Sequence, residues 1–523
     1  MDQLPLSIPF WVAGALPLFA LLFTLLQLRW KAVHSGMLAW VLALILGFWL
    51  YEASLEILMF SSLKGLSLTL FIVSIIWTSV FCYNLVERLG ALPVISRKVK
   101  SRFGDPLMVF ILLSWCVSAV LQGVAGFGVP VAIVTPLLVG LGFPAVQAAV
   151  GALVGHAWSI SFGSMGASYF AIQLITGLPA SSLGMWMGIM LAPPTLLSGL
   201  AVAHIYGGWR AVRQSWRYIT GASVVMSALL VLVPWLGAPQ LGTVIAAGAG
   251  SVVLTLWAKR PQAQPVQVTD DGENSMSLGQ ALLPYAILFV LTLLSQLEPV
   301  RTAVQGWALG FHFPGRTTGL GYLIAAQRNY AAIRLLAHPA PLLIISIAAA
   351  YLYYRSQNMS RWDDVRVIMR TTRKQCMPTT LSIAAMLMMA LVMNDAGMTT
   401  VLARGVATAS GSLYPLLAPV VGVLGCFMTG SNTSSNVLFG MFQMETALSL
   451  GLSTQIMAAA QSAGGALGSS IAPAKVLVGT ASAKLMGKES VVFRMALPYA
   501  LIITGVLGIV TWLFVTWLFP SLL

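Results

Sequence analysis

Charged side chains are scarce in this sequence, at 8% of 523 residues, where an ordinary soluble domain has roughly 25%. With 58% of the residues hydrophobic, a water-soluble fold is excluded. Alternation of polar and apolar residues is missing as well. Segments such as Trp40–Leu50 and Tyr499–Leu518 are apolar on every side, which excludes the strands of a membrane β-barrel. Cysteine is rare and dispersed: Cys82, Cys116, Cys376 and Cys426 have no CxxC spacing, so neither a disulfide framework nor a zinc site is indicated. HExxH, a GxSxG with triad partners and the Walker A lysine loop are all absent, which leaves no expected enzyme activity, cofactor, metal or ATP-driven step. Met1–Gln27 has no basic n-region and no small-residue cleavage site, and reads as a retained first helix that enters from outside.

What the chain does have is apolar length. At about 20 residues per crossing, it is expected to be an all-α polytopic membrane protein with about 12–14 full spans. The apolar runs extend from Phe10–Leu28 to Met495–Phe519 and include Leu66–Val86, Leu183–Ile205, Tyr218–Trp235 and Thr380–Met393. Lysine and arginine total 28 against 14 aspartate and glutamate, a net charge of +14. The excess falls mostly in loops 29–36, 87–105, 206–217, 258–280, 355–379 and 484–494. The positive-inside rule makes these loops cytoplasmic, so the charge marks a lipid bilayer and not a nucleic-acid partner. The short apolar runs Pro130–Phe143 and Val437–Leu450 follow breaks near Gly126 and Asn432. As continuations of those broken helices they supply the two further crossings this parity requires, and both termini then lie outside.

The most polar stretch, Lys259–Ser277, reads as a linker over 259–278 between a first membrane repeat (1–258) and a second (279–523). Each half contains two Gly- and Ser-rich interruptions of apolar sequence. They are Gly123–Gly128 (GVAGFG) and Phe162–Ser168 (FGSMGAS) in the first half, then Thr429–Asn436 (TGSNTSSN) and Gly464–Ser470 (GGALGSS) in the second. Gly126 to Gly163 spans 37 positions and Gly430 to Gly468 spans 38. The matched spacing suggests a duplicated unit whose copies have opposite orientation. Broken helices in corresponding positions of two halves point to a secondary transporter's binding site near the bilayer midplane, because unpaired backbone must be buried in protein or line a wet cavity. Small residues that merely allow close helix packing are the alternative.

A small anion inside a membrane needs donors. Ser431, Asn432, Thr433, Ser434, Ser435 and Asn436 offer hydroxyls and amides at the start of a helix, whose positive dipole end suits a carboxylate. Gln122, Gly126, Phe127 and Gly128 are candidates for the opposing tip, with Phe127 against an apolar part of the substrate or in plain packing. Lys475 either offsets an anionic substrate, or takes the place of a coupling cation, or snorkels to the surface. His156 is a candidate for proton transfer or a histidine bonded to a neighbouring carbonyl. Asp395 is an intramembrane acid or a helix cap at the external interface. Glu52 and Glu56 read as a solvated face, and Glu298/Arg301 and Arg328/Arg334 as ion pairs, loop residues or substrate contacts.

Together, QGVAGFGVPVAIVTPLLVGLGF (Gln122–Phe143), FGSMGAS (Phe162–Ser168), TGSNTSSNVLFG (Thr429–Gly440) and GKES (Gly487–Ser490) resemble the lactate permease family. That resemblance implies a multi-pass symporter of the bacterial inner membrane, carrying lactate or glycolate with protons. It also implies a group of ion transporters whose two inverted repeats carry re-entrant hairpins or broken helices and often move as elevators in homodimers. The chain departs from the family pattern, in which an acidic residue often stands at the place of Gln122, another at that of Asn432, and a glutamine near that of Lys475. His156 and Asp395 then become the proton-coupling candidates by default. The expected function is secondary active transport of small monocarboxylates coupled to protons, with sodium as the other candidate ion. A channel or exchanger for another small organic anion, with weak or no proton coupling, is the alternative.

Overall fold

The computed structural model describes residues 4–28, 30–90, 105–124, 126, 128–257, 276–295, 297, 299–300, 307–334, 338–485 and 488–520. Phe127, Glu298, Arg301 and nearly all of the expected linker lie outside them.

Apolar side chains gather in two cores, and each core draws on both halves of the sequence. The first, here called the scaffold, joins α1 (Ile8–Leu26), α2 (Ala32–Trp49) and α3 (Leu55–Arg88) to α10 (Leu278–Ser295), α11 (Pro339–Ser356), α12 (Trp362–Asp395) and α13 (Met398–Ser410). Helices α3 and α12 have 34 residues each, or about 51 Å at the α-helical rise. They outrun a hydrocarbon layer of about 30 Å, so hydropathy detected only their C-terminal parts, Leu66–Val86 and Thr380–Met393. They pack closely because residue 65 is glycine, where a Cβ would sit 2.7 Å from Met388 Cα.

The second core holds α4 (Pro106–Val124), α5 (Val129–Gly140), α6 (Ala145–Gly155), α7 (Gly163–Thr176), α8 (Ala180–Trp235) and α9 (Gly242–Trp257). The second half contributes α14 (Tyr414–Thr429), α15 (Asn432–Ser449), α16 (Thr454–Gly468), α17 (Pro473–Ser482) and α18 (Glu489–Leu513), with α15 placing Ala447 in this core and Val437, Leu438 and Phe439 against the scaffold core. Helices α4 and α5 form a hairpin, because the Phe110 ring near its start meets Phe143 just past its end at 5.2 Å. The left-handed backbone at Gly128 (φ +83) makes the turn possible. Helices α14 and α15 form a second hairpin around Gly430 (φ +73). Tyr414 donates to Gln443 Oε1 at 2.7 Å, and Ser435 donates to the Gly422 carbonyl at 2.9 Å across its arms. The runs Pro130–Phe143 and Val437–Leu450 are therefore return arms and not continuations through a bent helix. At 12 residues, α5 is about 18 Å long, too short to cross.

Helices α6 and α7 form a broken pair bent by 49°, and α16 and α17 are parted at 469–472. The 56-residue α8 folds at Gly207–Gly208 into two antiparallel arms. A Cβ on Gly184 would lie 2.9 Å from Pro234 Cβ, so Leu183–Ile205 and Tyr218–Trp235 are separate arms as expected. Among the described residues nine helices are long and apolar enough to cross a membrane, ten with the bent pair. Neither α5 nor α15 is among them, and α8, counted once, supplies two arms.

The all-α expectation also needs a correction. Residues 308–334 form two antiparallel ribbons, β1 (Ala308–Phe313) with β4 (Gln327–Arg334), and β2 (Arg316–Thr317) with β3 (Leu323–Ile324). Strands of two to eight residues carry too little alternation to be told from an apolar loop. The ribbons are tied to the start of α3, where Arg316 pairs with Glu56 and Gly319 N–H donates to the Glu52 carbonyl at 2.9 Å.

Candidate functional site

The interruptions become helix ends that face one another. Ser431 leaves the helix with extended backbone (φ −143) and caps α15, its Oγ accepting from Ser434 N–H at 3.3 Å. The N–H groups of Asn432 and Thr433 in that first turn have no acceptor within the helix. Pro473 opens α17, its fixed φ suited to a first helical position, and puts Lys475 in the first turn. In FGSMGAS, Ser164, Met165 and Gly166 all adopt left-handed backbone (φ 49, 53 and 79). For the two non-glycine residues this is a strained conformation of the kind concentrated at binding sites.

These ends enclose a cavity of about 460 Å³ on the seam between the two cores. The first half contributes Gln122, Gly128, Ile160, Ser164 and Ser168, and the second contributes 429–434, Ala474, Lys475 and Val478. The scaffold closes the other side with residues 31–33, Pro378, Thr379, Ser382 and Met386. Both hairpin tips rest on one face of α17: a Cβ on Gly128 would contact Val478 at 3.5 Å, and one on Gly430 would contact Ala474 at 3.4 Å. Ala474 and Val478 are four apart and so share that face, with Lys475 beside them. Gln122 extends between two glycines, since a Cβ on Gly163 would lie 2.7 Å from its Nε2 and one on Gly126 3.2 Å. Gln122 Oε1 is buried without a hydrogen-bond partner among the described residues.

The electrostatics have one sign. Lys475 is 8% exposed and makes no ion pair with any described carboxylate. Lys31 is exposed at the rim. The described lining residues include these two cations and no aspartate or glutamate. A buried lysine without an anion is costly unless an anion visits it.

Beneath the cavity a polar network fastens the second hairpin to the broken helix of the first half. Asn436 Nδ2 donates to the Ser168 carbonyl and to Ser462 Oγ, both at 2.9 Å. Ser462 Oγ donates to Ser161 Oγ at 3.0 Å, and Ser168 and Thr433 share a hydroxyl hydrogen bond of 3.0 Å. Asn432 Nδ2 reaches the Ser462 carbonyl at 3.2 Å. Ser435 and Asn436 are fully buried and do not line the cavity. They hold the tip from behind, whereas Ser431–Ser434 face the space.

The structure thus brings together Gln122, Gly128, Ser431, Asn432, Thr433, Ser434 and Lys475. Gly126 lies behind Gln122, against the Ser164 hydroxyl. His156 ends α6, with Nδ1 2.6 Å from the Ala152 carbonyl. Its Nε2 is buried without a hydrogen-bond partner among the described residues, and the ring is outside the cavity lining. Asp395 is not brought to the site. It ends α12 in the scaffold, bonded to Lys64 Nζ at 3.0 Å and Ser61 Oγ at 2.7 Å. Ser164 and Ser168, both within the FGSMGAS motif, line the cavity as well. The signal for them was the FGSMGAS run itself, where Gly163 and Gly166 flank the two residues held in left-handed backbone.

The sequence profile of the family described as L-lactate permease matches residues 11–518. The L-lactate permease of Salmonella typhimurium is 28% identical, over 97% of this chain and 96% of that one. That of Bacillus subtilis is 28% identical over 97% of each. The glycolate permease of Escherichia coli is 27% identical over 96% of this chain and 94% of its own length. Among solved structures, the YdaH transporter of Alcanivorax borkumensis aligns over 87% of each chain with 15% identity and a TM-score of 0.44.

Proposed function

Because this chain belongs to the L-lactate permease family, we propose that it is a secondary active transporter of small monocarboxylates, 2-hydroxy acids of the lactate and glycolate type, working in the bacterial inner membrane. It is a multi-pass membrane permease and not an enzyme. One observation carries the choice of site: the tips of two hairpins, one from each half, meet at a cavity whose described lining contains cations and hydroxyls but no carboxylate. The substrate carboxylate lies on Lys475 and the open N–H groups of Asn432 and Thr433, where the helix dipole adds to the attraction. The 2-hydroxyl reaches the Ser164, Ser168 or Gln122 side chains. Ser434→Ala, which removes one lining hydroxyl and keeps the cap, lowers lactate uptake by at least about tenfold, with no loss of protein from the membrane. Uptake of labelled lactate by proteoliposomes measures this, and undiminished uptake refutes the site.

The cavity's walls come from two cores, which supports an elevator mechanism: the second core slides past the scaffold wall at Pro378–Met386 and opens the cavity to each side in turn. The matched interruptions support two inverted repeats, 1–258 and 279–523, and the same reading includes a homodimer. Proton symport would run through His156, whose buried Nε2 adjoins the break between α6 and α7. If so, an imposed proton gradient accelerates uptake severalfold in the parent protein and not in His156→Gln, as read by uptake at fixed lactate. A gradient effect preserved in the variant excludes His156. A second reading is favoured by Lys475: a fixed charge on the protein neutralises the substrate, so uptake needs little or no coupling ion. Counterflow of labelled lactate against unlabelled substrate separates either carrier from a channel, which shows none.

A further inference from the structure

A second cavity, of about 400 Å³, opens at the surface of the scaffold between α3, α11 and α12 and shares no lining residue with the substrate cavity. Its walls are apolar, with Trp77, Phe81 and Leu85 on one side, Ile347 on another, and Met369 and Trp362 on the third. From Trp77 to Leu85 the groove runs about 12 Å along α3, enough for a good part of one acyl chain. At its mouth the side chains change character. The Arg355 guanidinium stacks over the Trp362 ring, 4.7 Å from its centroid, which fixes a cation on the rim of the groove. Residues 355–374 also carry Arg361, Arg366, Arg370, Arg373 and Lys374, against two carboxylates, Asp363 and Asp364. Asp364 is taken by Arg88 at 2.7 Å, and Asp363 stands 3.8 Å from Arg366. The rim therefore keeps a strong excess of positive charge. The tryptophan, an interfacial residue in membrane proteins, sits between the apolar groove and the basic rim.

We propose that this groove is a binding site for an anionic phospholipid, with one acyl chain between α3, α11 and α12 and the phosphate on Arg355 and Arg361. Apolar burial of a chain and attraction of a headgroup to basic residues are each weak alone and hold a lipid firmly only together. Charge complementarity is what selects this occupant over a neutral lipid. Bound there, the lipid bridges the scaffold helices on the side that carries the basic residues.

Native mass spectrometry of the delipidated full-length protein tests this, with phosphatidylglycerol and phosphatidylcholine of identical chains as probes. Phosphatidylglycerol is expected to be retained at least about tenfold more strongly. Arg355→Gln combined with Arg361→Gln removes that preference. Ala348→Trp, placing a large ring in the exposed groove, abolishes the retained phosphatidylglycerol and leaves lactate uptake in place as evidence of folding. Equal retention of the two lipids, or unchanged retention in the variants, overturns the proposal. So does conversion of a dimer to a monomer by Ala348→Trp with lipid binding intact, which would assign the groove to a second copy of the chain.

Discussion

Lys475→Met abolishes lactate uptake, by at least about 100-fold, while the purified protein melts at a higher temperature than the parent. The two effects have one cause. Lys475 is buried beside both hairpin tips and makes no ion pair with any described carboxylate. Keeping a cation there costs the unloaded protein desolvation energy that no described carboxylate returns. An apolar side chain of similar length removes that cost, so stability rises. The carboxylate of a substrate then has no counter-charge in a site of low dielectric, and binding is lost. Lys475→Arg keeps the charge with a different shape and retains part of the uptake. Proteoliposome uptake and thermal unfolding in detergent measure the pair of effects. Normal uptake by Lys475→Met removes the lysine from the site, and a fall in melting temperature with uptake intact makes it a structural residue.

Lys64→Met is expected to destabilise the protein by about 3–5 kcal/mol, and Asp395→Asn by a similar amount, because each strands a buried charge. Lys64 Nζ and Asp395 Oδ2 are 3.0 Å apart, with side-chain exposures of 4% and 8%, and Ser61 donates to the same carboxylate oxygen. The double variant Lys64→Met/Asp395→Leu recovers most of the loss, since an apolar pair of comparable volume meets no desolvation cost. In every variant that folds, the response of uptake to a proton gradient matches that of the parent. Thermal unfolding of the parent, Lys64→Met, Asp395→Leu and the double variant closes the double-mutant cycle that measures the coupling between the pair. A well-folded Asp395→Asn whose uptake no longer responds to the gradient would restore Asp395 as the proton carrier.

Asp395 shows where sequence reasoning stopped. An acid at the end of an apolar helix is a legitimate candidate for coupling. What it lacked was its partner, Lys64, 331 positions earlier, just ahead of the run Leu66–Val86 that reads as an ordinary span. Long-range pairing of this sort leaves no local signature. The interruptions were legible for the opposite reason: glycine and serine in place of apolar residues are a local departure, and all four mark real helix ends. Their sense of direction was not legible. Hydropathy is the same whether the chain continues through the membrane or turns back, so the return arms Pro130–Phe143 and Val437–Leu450 read as crossings. The site residues divide on the same principle. Composition finds the run Ser431–Asn436, yet only helix geometry separates Ser434, which faces the cavity, from Ser435 and Asn436, which turn inward to Gly422, Ser168 and Ser462.

The polar ladder Ser161–Ser462–Asn436–Ser168 has a consequence for how such a molecule evolves new preferences. It stitches one hairpin to the broken helix of the other half, so the donors around the ligand form a single stiff basket. The long helix α12, facing that basket with Pro378, Thr379, Ser382 and Met386, is only its neighbour. If the proposed site and sliding motion hold, changes inside the basket alter which acid is admitted, whereas changes on the neighbouring wall alter how quickly it is let go, and selection can tune the two separately.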